Sequence, residues 1–143
     1  MEMKDVLISI KGMQSLEEGG DDAIELVTDG QYGWSENFSK LVYMESELTG
    51  LEGTRTSFMI EPTGVVLERE GSVCTRMVFE QGKKHVFLYE TPYGTATMNV
   101  DTKRVRTALN AHGGDMEINY EVGIENNAVG SNCFRIHVQE IGS

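Results

Sequence analysis

Met116-Glu117-Ile118-Asn119-Tyr120-Glu121-Val122 is the stretch that decides the fold. Side chains alternate across a strand, so Met116, Ile118, Tyr120 and Val122 line one face while Glu117, Asn119 and Glu121 line the other. The opposite register would put two carboxylates into the core without visible cationic partners. The same period-two pattern recurs on either side of this segment. It is read at residues 6–11, 23–30, 40–48, 54–61, 65–69, 73–80, 85–91, 95–101, 105–111 and 133–139. Turn residues close most of these runs, as in Pro62-Thr63-Gly64, Glu70-Gly71-Ser72 and His112-Gly113-Gly114-Asp115. A short helical turn is expected only around residues 35–40. The acidic segment 14–22, with Glu17-Glu18-Gly19-Gly20-Asp21-Asp22, reads as a solvated loop, because it lacks the alternating ligands of a calcium loop.

Short connections favour antiparallel pairing of sequence neighbours. About ten strands in one open sheet would leave two long edges, and closure removes them. The expected fold is therefore an all-β antiparallel meander closed into a barrel, with residues 6–11 pairing beside the last strand. A β-sandwich is the alternative, because periodicity alone does not separate the two. Residues 1–143 are read as a single domain.

The composition excludes several functions. The chain has 23 acidic and 12 basic residues, a net charge of -11. A phosphate-backbone binder needs a basic stripe. The nearest thing here is Lys103-Arg104-Val105-Arg106, where only Arg104 and Arg106 share a face. Neither nucleic acid nor an anionic membrane is an expected partner. Cys74 and Cys133 lie within strands, and no signal-like or membrane-spanning run is present, so a cytoplasmic protein with reduced thiols is expected. His85, His112 and His137 are far apart in sequence and show no metal spacing. No nucleophile elbow, P-loop or dinucleotide fingerprint occurs, so neither a cofactor nor a metal is expected.

The informative residues are polar ones that share a face with apolar ones. Leu41, Tyr43 and Glu45 form one such row, and Val65, Leu67 and Arg69 another. Thr54, Thr56 and Phe58, and Phe87, Tyr89 and Thr91, form two more. If these rows point inward, the lumen holds aromatic walls, one carboxylate and one guanidinium. Tyr43, Glu45, Arg69 and Tyr89 are then the candidate ligand-binding set, with Glu45 and Arg69 requiring each other or a ligand. The plainer alternative puts Glu45 and Arg69 at strand ends, in water at the rim.

Tyr43-Met44-Glu45-Ser46, Thr54-Arg55-Thr56, Arg69-Glu70-Gly71, Met77-Val78-Phe79-Glu80-Gln81-Gly82 and Tyr89-Glu90-Thr91-Pro92-Tyr93-Gly94 follow one another in an order that resembles the YwiB-like family of small bacterial proteins of unknown function. Asp101-Thr102 and Ile118-Asn119-Tyr120 extend the likeness over nearly the whole chain from about Asp22. The resemblance implies a calycin-like barrel, similar in shape to lipocalins and fatty-acid-binding proteins, and implies no activity. The leading expectation is a non-catalytic barrel that binds a small, partly apolar molecule in its lumen. The second is an interaction module or homodimer with a packed interior. The third is an enzyme using Glu45 as base and Arg69 to stabilise an anion.

Overall fold

The computed structural model describes residues 2–16, 20–46, 51–124 and 127–141. Ten strands follow in chain order: β1 (Lys4–Leu16), β2 (Gly20–Trp34), β3 (Ser39–Met44), β4 (Arg55–Glu61), β5 (Gly64–Glu70), β6 (Cys74–Phe79), β7 (Lys84–Thr91), β8 (Gly94–Asn110), β9 (Gly113–Ile124) and β10 (Asn127–Glu140). All pairings are antiparallel, and each strand pairs with its sequence neighbours. β1 joins β10 and closes the barrel, with Ile8 opposite Val138. No helix occurs among the described residues. At residues 35–38 the chain makes a bend closed by the Ser35 N–H donating to the Phe38 carbonyl, and β3 begins at once.

Several expected boundaries change. The expected strand 40–48 is β3, which ends at Met44, with residues 47–50 outside the described residues, and the expected strand 133–139 is β10, which begins at Asn127. Residues 14–16 and 20–22 continue β1 and β2 and are not loop, because Gln14 pairs Asp22 and Leu16 pairs Gly20. Residues 17–19 lie outside the described residues. The expected strands at 95–101 and 105–111 are one strand, β8. No Gly or Pro interrupts residues 95–110, so pairing with β9 runs on through a bulge between Thr102 and Arg104.

The inward faces are those that the alternation implies. Met116, Ile118 and Tyr120 are buried, and Val122 is half-buried against the same core. Glu117, Asn119 and Glu121 turn outward but are half-buried; Glu117 is covered by Arg135 at 3.5 Å and by the Asn119 amide at 3.0 Å. Tyr32, Leu41, Phe58, Leu67, Phe79 and Ile118 fill the interior. Each such large side chain contributes about 1.5–3 kcal/mol by leaving water. Phe79 meets Tyr120 at 4.9 Å between ring centroids, and Tyr120 meets Phe134 at 5.7 Å.

One end of the barrel is covered by the β8–β9 hairpin. The Tyr32 hydroxyl on β2 donates to the Asn110 carbonyl at 2.8 Å, although β1, β10 and β9 stand between β2 and β8. Lys4 Nζ donates to the Ala111 carbonyl and pairs with Glu140 on the same end. Gly113 and Gly114 have φ of 125° and 136°. A Cβ at Gly114 would overlap the Ala108 carbonyl oxygen, so the hairpin cannot be built this tightly with any other residue there.

The weakest join in the wall lies between β6 and β7. Only Cys74–Glu90 and Thr75–Tyr89 are ladder positions there, reinforced by the Thr75 hydroxyl donating to the Leu88 carbonyl at 2.7 Å.

Candidate functional site

Residues directly opposite in an antiparallel ladder share a face. The register reads Tyr43 to Thr56, Thr56 to Arg69, Arg69 to Thr75, Thr75 to Tyr89 and Tyr89 to Ala96. Five consecutive strands thus deliver a polar belt to the inner wall, and β8 ends it with an exposed Ala96. Glu45 stands one inward position beyond Tyr43. It lies past the end of β3, but its N–H still donates to the Thr54 carbonyl at 2.8 Å, so the strand alternation carries its side chain inward.

Glu45 is only 6% exposed. Its Oε1 accepts the Thr56 hydroxyl at 2.7 Å and lies 3.8 Å from Arg69 Nε. The rim-and-water alternative for this pair does not hold, because the belt lies inside the wall. Arg69 Nε is buried and makes no hydrogen bond, while the side chain as a whole keeps 16% exposure. The guanidinium is thus ion-paired to Glu45 with its Nε outside hydrogen-bond distance, and it keeps some contact with solvent.

Two phenols border this pair. Burial raises the Tyr43 hydroxyl above its ordinary value, and the Glu45 carboxylate adds to the shift while Arg69 opposes it. Burial likewise raises Tyr120, again with Arg69 opposing. Both stay protonated and can donate. Thr102 lies opposite Tyr120 in the ladder, fully buried, with an unbonded hydroxyl. Tyr89 is half-buried against the core, on the belt beyond Thr75. Tyr43, Glu45 and Arg69 are therefore in one cluster, and Tyr89 flanks it two strands away. The belt contains no histidine or cysteine. Its chemistry is hydrogen-bond donation from Arg69 and the phenols toward an acceptor.

A cavity of about 1000 Å3 lies elsewhere, on the outside of the sheet. One wall is the outward row Val27, Ser9, His137, Asp115 and Ala108. The other is the row Glu25, Lys11, Arg135, Glu117 and Arg106. Its floor is the row between them, including Ile10, Ile136 and Met116, whose side chains point the opposite way, into the core. The inward neighbours Ile8, Ile118 and Val138 do not line it, which fixes its side.

Residues 8–136 match the family described as a domain of unknown function, DUF1934. The chain belongs to the DUF1934 family. The order of its short motifs points to YwiB-like proteins, and the family match, with one solved structure of the same fold, bears this out. The crystal structure of the ywiB protein from Bacillus subtilis is similar with a TM-score of 0.87 at 20% identity, covering 98% of this chain and 94% of that one. A likeness at that identity establishes the fold alone. A search of curated proteins found no match.

Every belt residue of this DUF1934 member falls within the matched span. Thr75 and Thr102 were not read as site residues from the sequence. The signal for Thr102 was hidden by the bulge beside it, which breaks the alternation of β8. Thr75 alternates with Met77 and Phe79 and was legible as inward. His112 and His137 are surface groups and His85 is half-buried, each beside a carboxylate: His85 with Glu80 at 3.1 Å, His112 with Glu140 at 3.2 Å, and His137 with Asp115 at 2.9 Å. Among the described residues no group of three His, Cys, Asp or Glu side chains is placed to hold a metal. Cys74 and Cys133 are half-buried free thiols, and burial raises the Cys133 thiol. Among the described residues no helix is long and apolar enough to cross a membrane.

Proposed function

We propose that this barrel is a non-catalytic binding protein whose belt receives the acceptor group of a small, partly apolar molecule. The observation that carries the reading is the Arg69 guanidinium, buried at Nε without a hydrogen-bond acceptor, 3.8 Å from Glu45 and close enough to the phenols of Tyr43 and Tyr120 to act on both. A charged donor held in an apolar wall forms strong hydrogen bonds with an incoming carbonyl or carboxylate. Glu45, Thr56 and Tyr43 hold the guanidinium in place. Access is from the β7–β8 hairpin end, where Ala96 is exposed and Met98, Tyr89 and Thr91 are half-buried. Phe58, Leu67 and Phe79 fill the barrel below the belt, so the ligand is short in reach. Glu45 is engaged by Thr56 and Arg69, so its carboxylate serves to hold the guanidinium. The proposal places the protein in the cytoplasm, with its thiols reduced.

The test is native mass spectrometry of the protein purified from its own host. A retained adduct is expected in the wild type and not in the Glu45→Gln, Arg69→Met double variant, which removes the anchor without stranding a buried charge. Absence of any adduct from the wild type, or its retention by the double variant, refutes the reading. A second reading, an interaction module or homodimer, is favoured by the filled interior and by the outer cavity. It predicts no adduct and a sedimentation coefficient that rises with protein concentration.

A further inference from the structure

One stretch of β8 is paired on one side only. The ladder with β7 ends at Asp101, whereas the ladder with β9 runs on to Asn110 opposite Gly113. The turn before β7 carries contact on that side a little further. The Thr102 N–H donates to the Lys83 carbonyl, the Gly82 N–H donates to the Thr102 carbonyl, and the Val105 N–H donates to Gln81 Oε1 at 3.0 Å. That last bond fixes a direction. In an antiparallel ladder a residue's N–H and C=O point to the same neighbour, and the direction alternates along the strand. The register with β9 is unbroken from Arg104 to Asn110. The backbone groups of Val105, Thr107 and Leu109 therefore all point away from β9. Among the described residues, the Val105 carbonyl and both groups of Thr107 and Leu109 have no partner. Arg106, Thr107, Ala108 and Asn110 are exposed, so this edge stands in water.

Natural sheets blunt such edges with proline, inward charges or a bulge. Here the bulge lies before the edge, at Thr102–Arg104, and residues 105–109 contain no proline. The side chains of inward parity, Val105, Thr107 and Leu109, are neutral, and Val105 and Leu109 pack against the core. The edge is also complementary to itself. Laid antiparallel on a second copy about a two-fold axis at Thr107, Val105 meets Leu109 and Thr107 meets Thr107. On the outward face Arg104 meets Asn110 and Arg106 meets Ala108. No like charges stand directly opposite, and Thr–Thr pairs are favourable across an antiparallel ladder. The two Arg106 side chains lie on a diagonal, each opposite its own Glu117 on β9. Each free N–H meets a free C=O, and only the Val105 N–H must exchange Gln81 for the Leu109 carbonyl.

The outer cavity ends at the same residue. Its floor row runs Leu26, Ile10, Ile136, Met116 and Thr107, from β2 to β8. Thr107 is thus both the last residue of that floor and the axis of the pairing. We propose that two copies of this chain join edge to edge along residues 105–109 of β8, about a two-fold axis at Thr107, so that their outer cavities run into one groove. A second copy is the occupant because register, side-chain pairs and the cavity ends all close on one residue. Chains of net charge -11 repel each other at long range, so the dimer is weak and strengthens with salt. The edge lies outside the inner belt, so the dimer stands whether or not the belt retains a ligand.

The test is analytical ultracentrifugation with amide-resolved hydrogen exchange, on the full reduced chain from about 10 μM to about 1 mM. The wild type should pass from monomer toward dimer, more steeply in higher salt. Exchange at the Thr107 and Leu109 amides should slow several-fold over that range, while the Arg106 and Ala108 amides, bonded to β9, change little. Thr107→Pro removes a donor that β9 does not use and should leave a monomer with the β8–β9 ladder intact. Thr107→Lys keeps every backbone group and sets two like charges face to face. It should weaken the dimer several-fold, with recovery in salt, readable even if Thr107→Pro is unstable. Val86→Gln, Leu88→Gln changes the exposed apolar pair outside β7 and should dimerise as the wild type does. A chain monomeric at the highest concentration gives the edge to a different strand and overturns the second copy. A dimer that survives both Thr107 variants, or that is lost in the Val86, Leu88 variant, places the interface elsewhere and overturns the proposal.

Discussion

Glu45 Oε1 and Arg69 Nε meet at 3.8 Å inside the barrel, although β4 stands between the strands that deliver them. Thr56 of that middle strand bridges the gap by donating its hydroxyl to the same carboxylate oxygen. The pair is therefore a product of two registers at once. Its removal in part differs from its removal as a whole.

Arg69→Met leaves Glu45 buried without its counter-charge and should destabilise the barrel by roughly 3 kcal/mol at neutral pH. Adding Glu45→Gln should recover most of that loss. Urea unfolding of the two single variants and the double variant measures the coupling. Equal losses in the Arg69→Met variant and the double variant would show that the pair is not electrostatically coupled.

Burial raises the hydroxyls of Tyr32, Tyr43 and Tyr120 above 10.0. As pH rises, the unfolded chain loses these protons first. The stabilising contribution is complete below about pH 10 and is lost as pH rises toward the folded values. Tyr43 and Tyr120, the two with large shifts, should each contribute a slope of about 1.4 kcal/mol per pH unit there, and Tyr32 a smaller one in the same direction. Denaturation midpoints between pH 9 and pH 11 should fall less steeply in a Tyr43→Phe, Tyr120→Phe variant.

Gly114→Ala should destabilise by about 3 kcal/mol or more, because the new methyl overlaps the Ala108 carbonyl at a φ of 136°. Gly82→Ala, at φ 80° with open space around it, should lose only about 1–2 kcal/mol. Thermal melts of the two variants separate backbone overlap from conformational strain. Similar melting points would contradict the tight hairpin.

Hydrogen exchange should be fastest, among paired strands, along the β6–β7 join, which has two ladder positions against seven for β4 with β5. Thr75→Val removes the hydroxyl bond to Leu88 and should accelerate exchange at residues 74–79 and 84–90 several-fold, with β1 and β10 unchanged. Mass-resolved exchange of peptides from these strands reads the difference.

Phe79→Ala should cost about 3–5 kcal/mol, since its ring is fully buried against Tyr120 and little around it can collapse. Chemical denaturation with an unchanged slope would attribute the loss to the native core.

The barrel was legible because each strand carries its own evidence. Met116, Ile118 and Tyr120 point inward for a reason contained in seven residues, and the inward parity of Tyr43, Glu45, Thr56, Arg69 and Tyr89 is read in the same way. The bulge at Thr102–Arg104 was not legible, since an extra residue looks like a turn until the partner strand shows pairing on both sides. The length of β1 and β2 was missed for a related reason. An acidic, glycine-rich segment has no alternation to read, and only pairing of Gln14 with Asp22 and Leu16 with Gly20 makes it a ladder.

By itself, the sequence determined which side of each strand is apolar and that neighbours pair antiparallel, while the choice of a closed barrel over a sandwich came from the pairing of β1 with β10. The first two follow from local alternation and from the short connections. The tertiary structure alone decided height around the barrel. Shear sets which same-face residues meet, so it brings Glu45 to Arg69 across β4, leaves Tyr89 beyond Thr75, and stacks Arg106 and Arg135 on either side of Glu117. No period in one chain segment encodes that offset, because it is the sum of every turn length and bulge between the strands concerned.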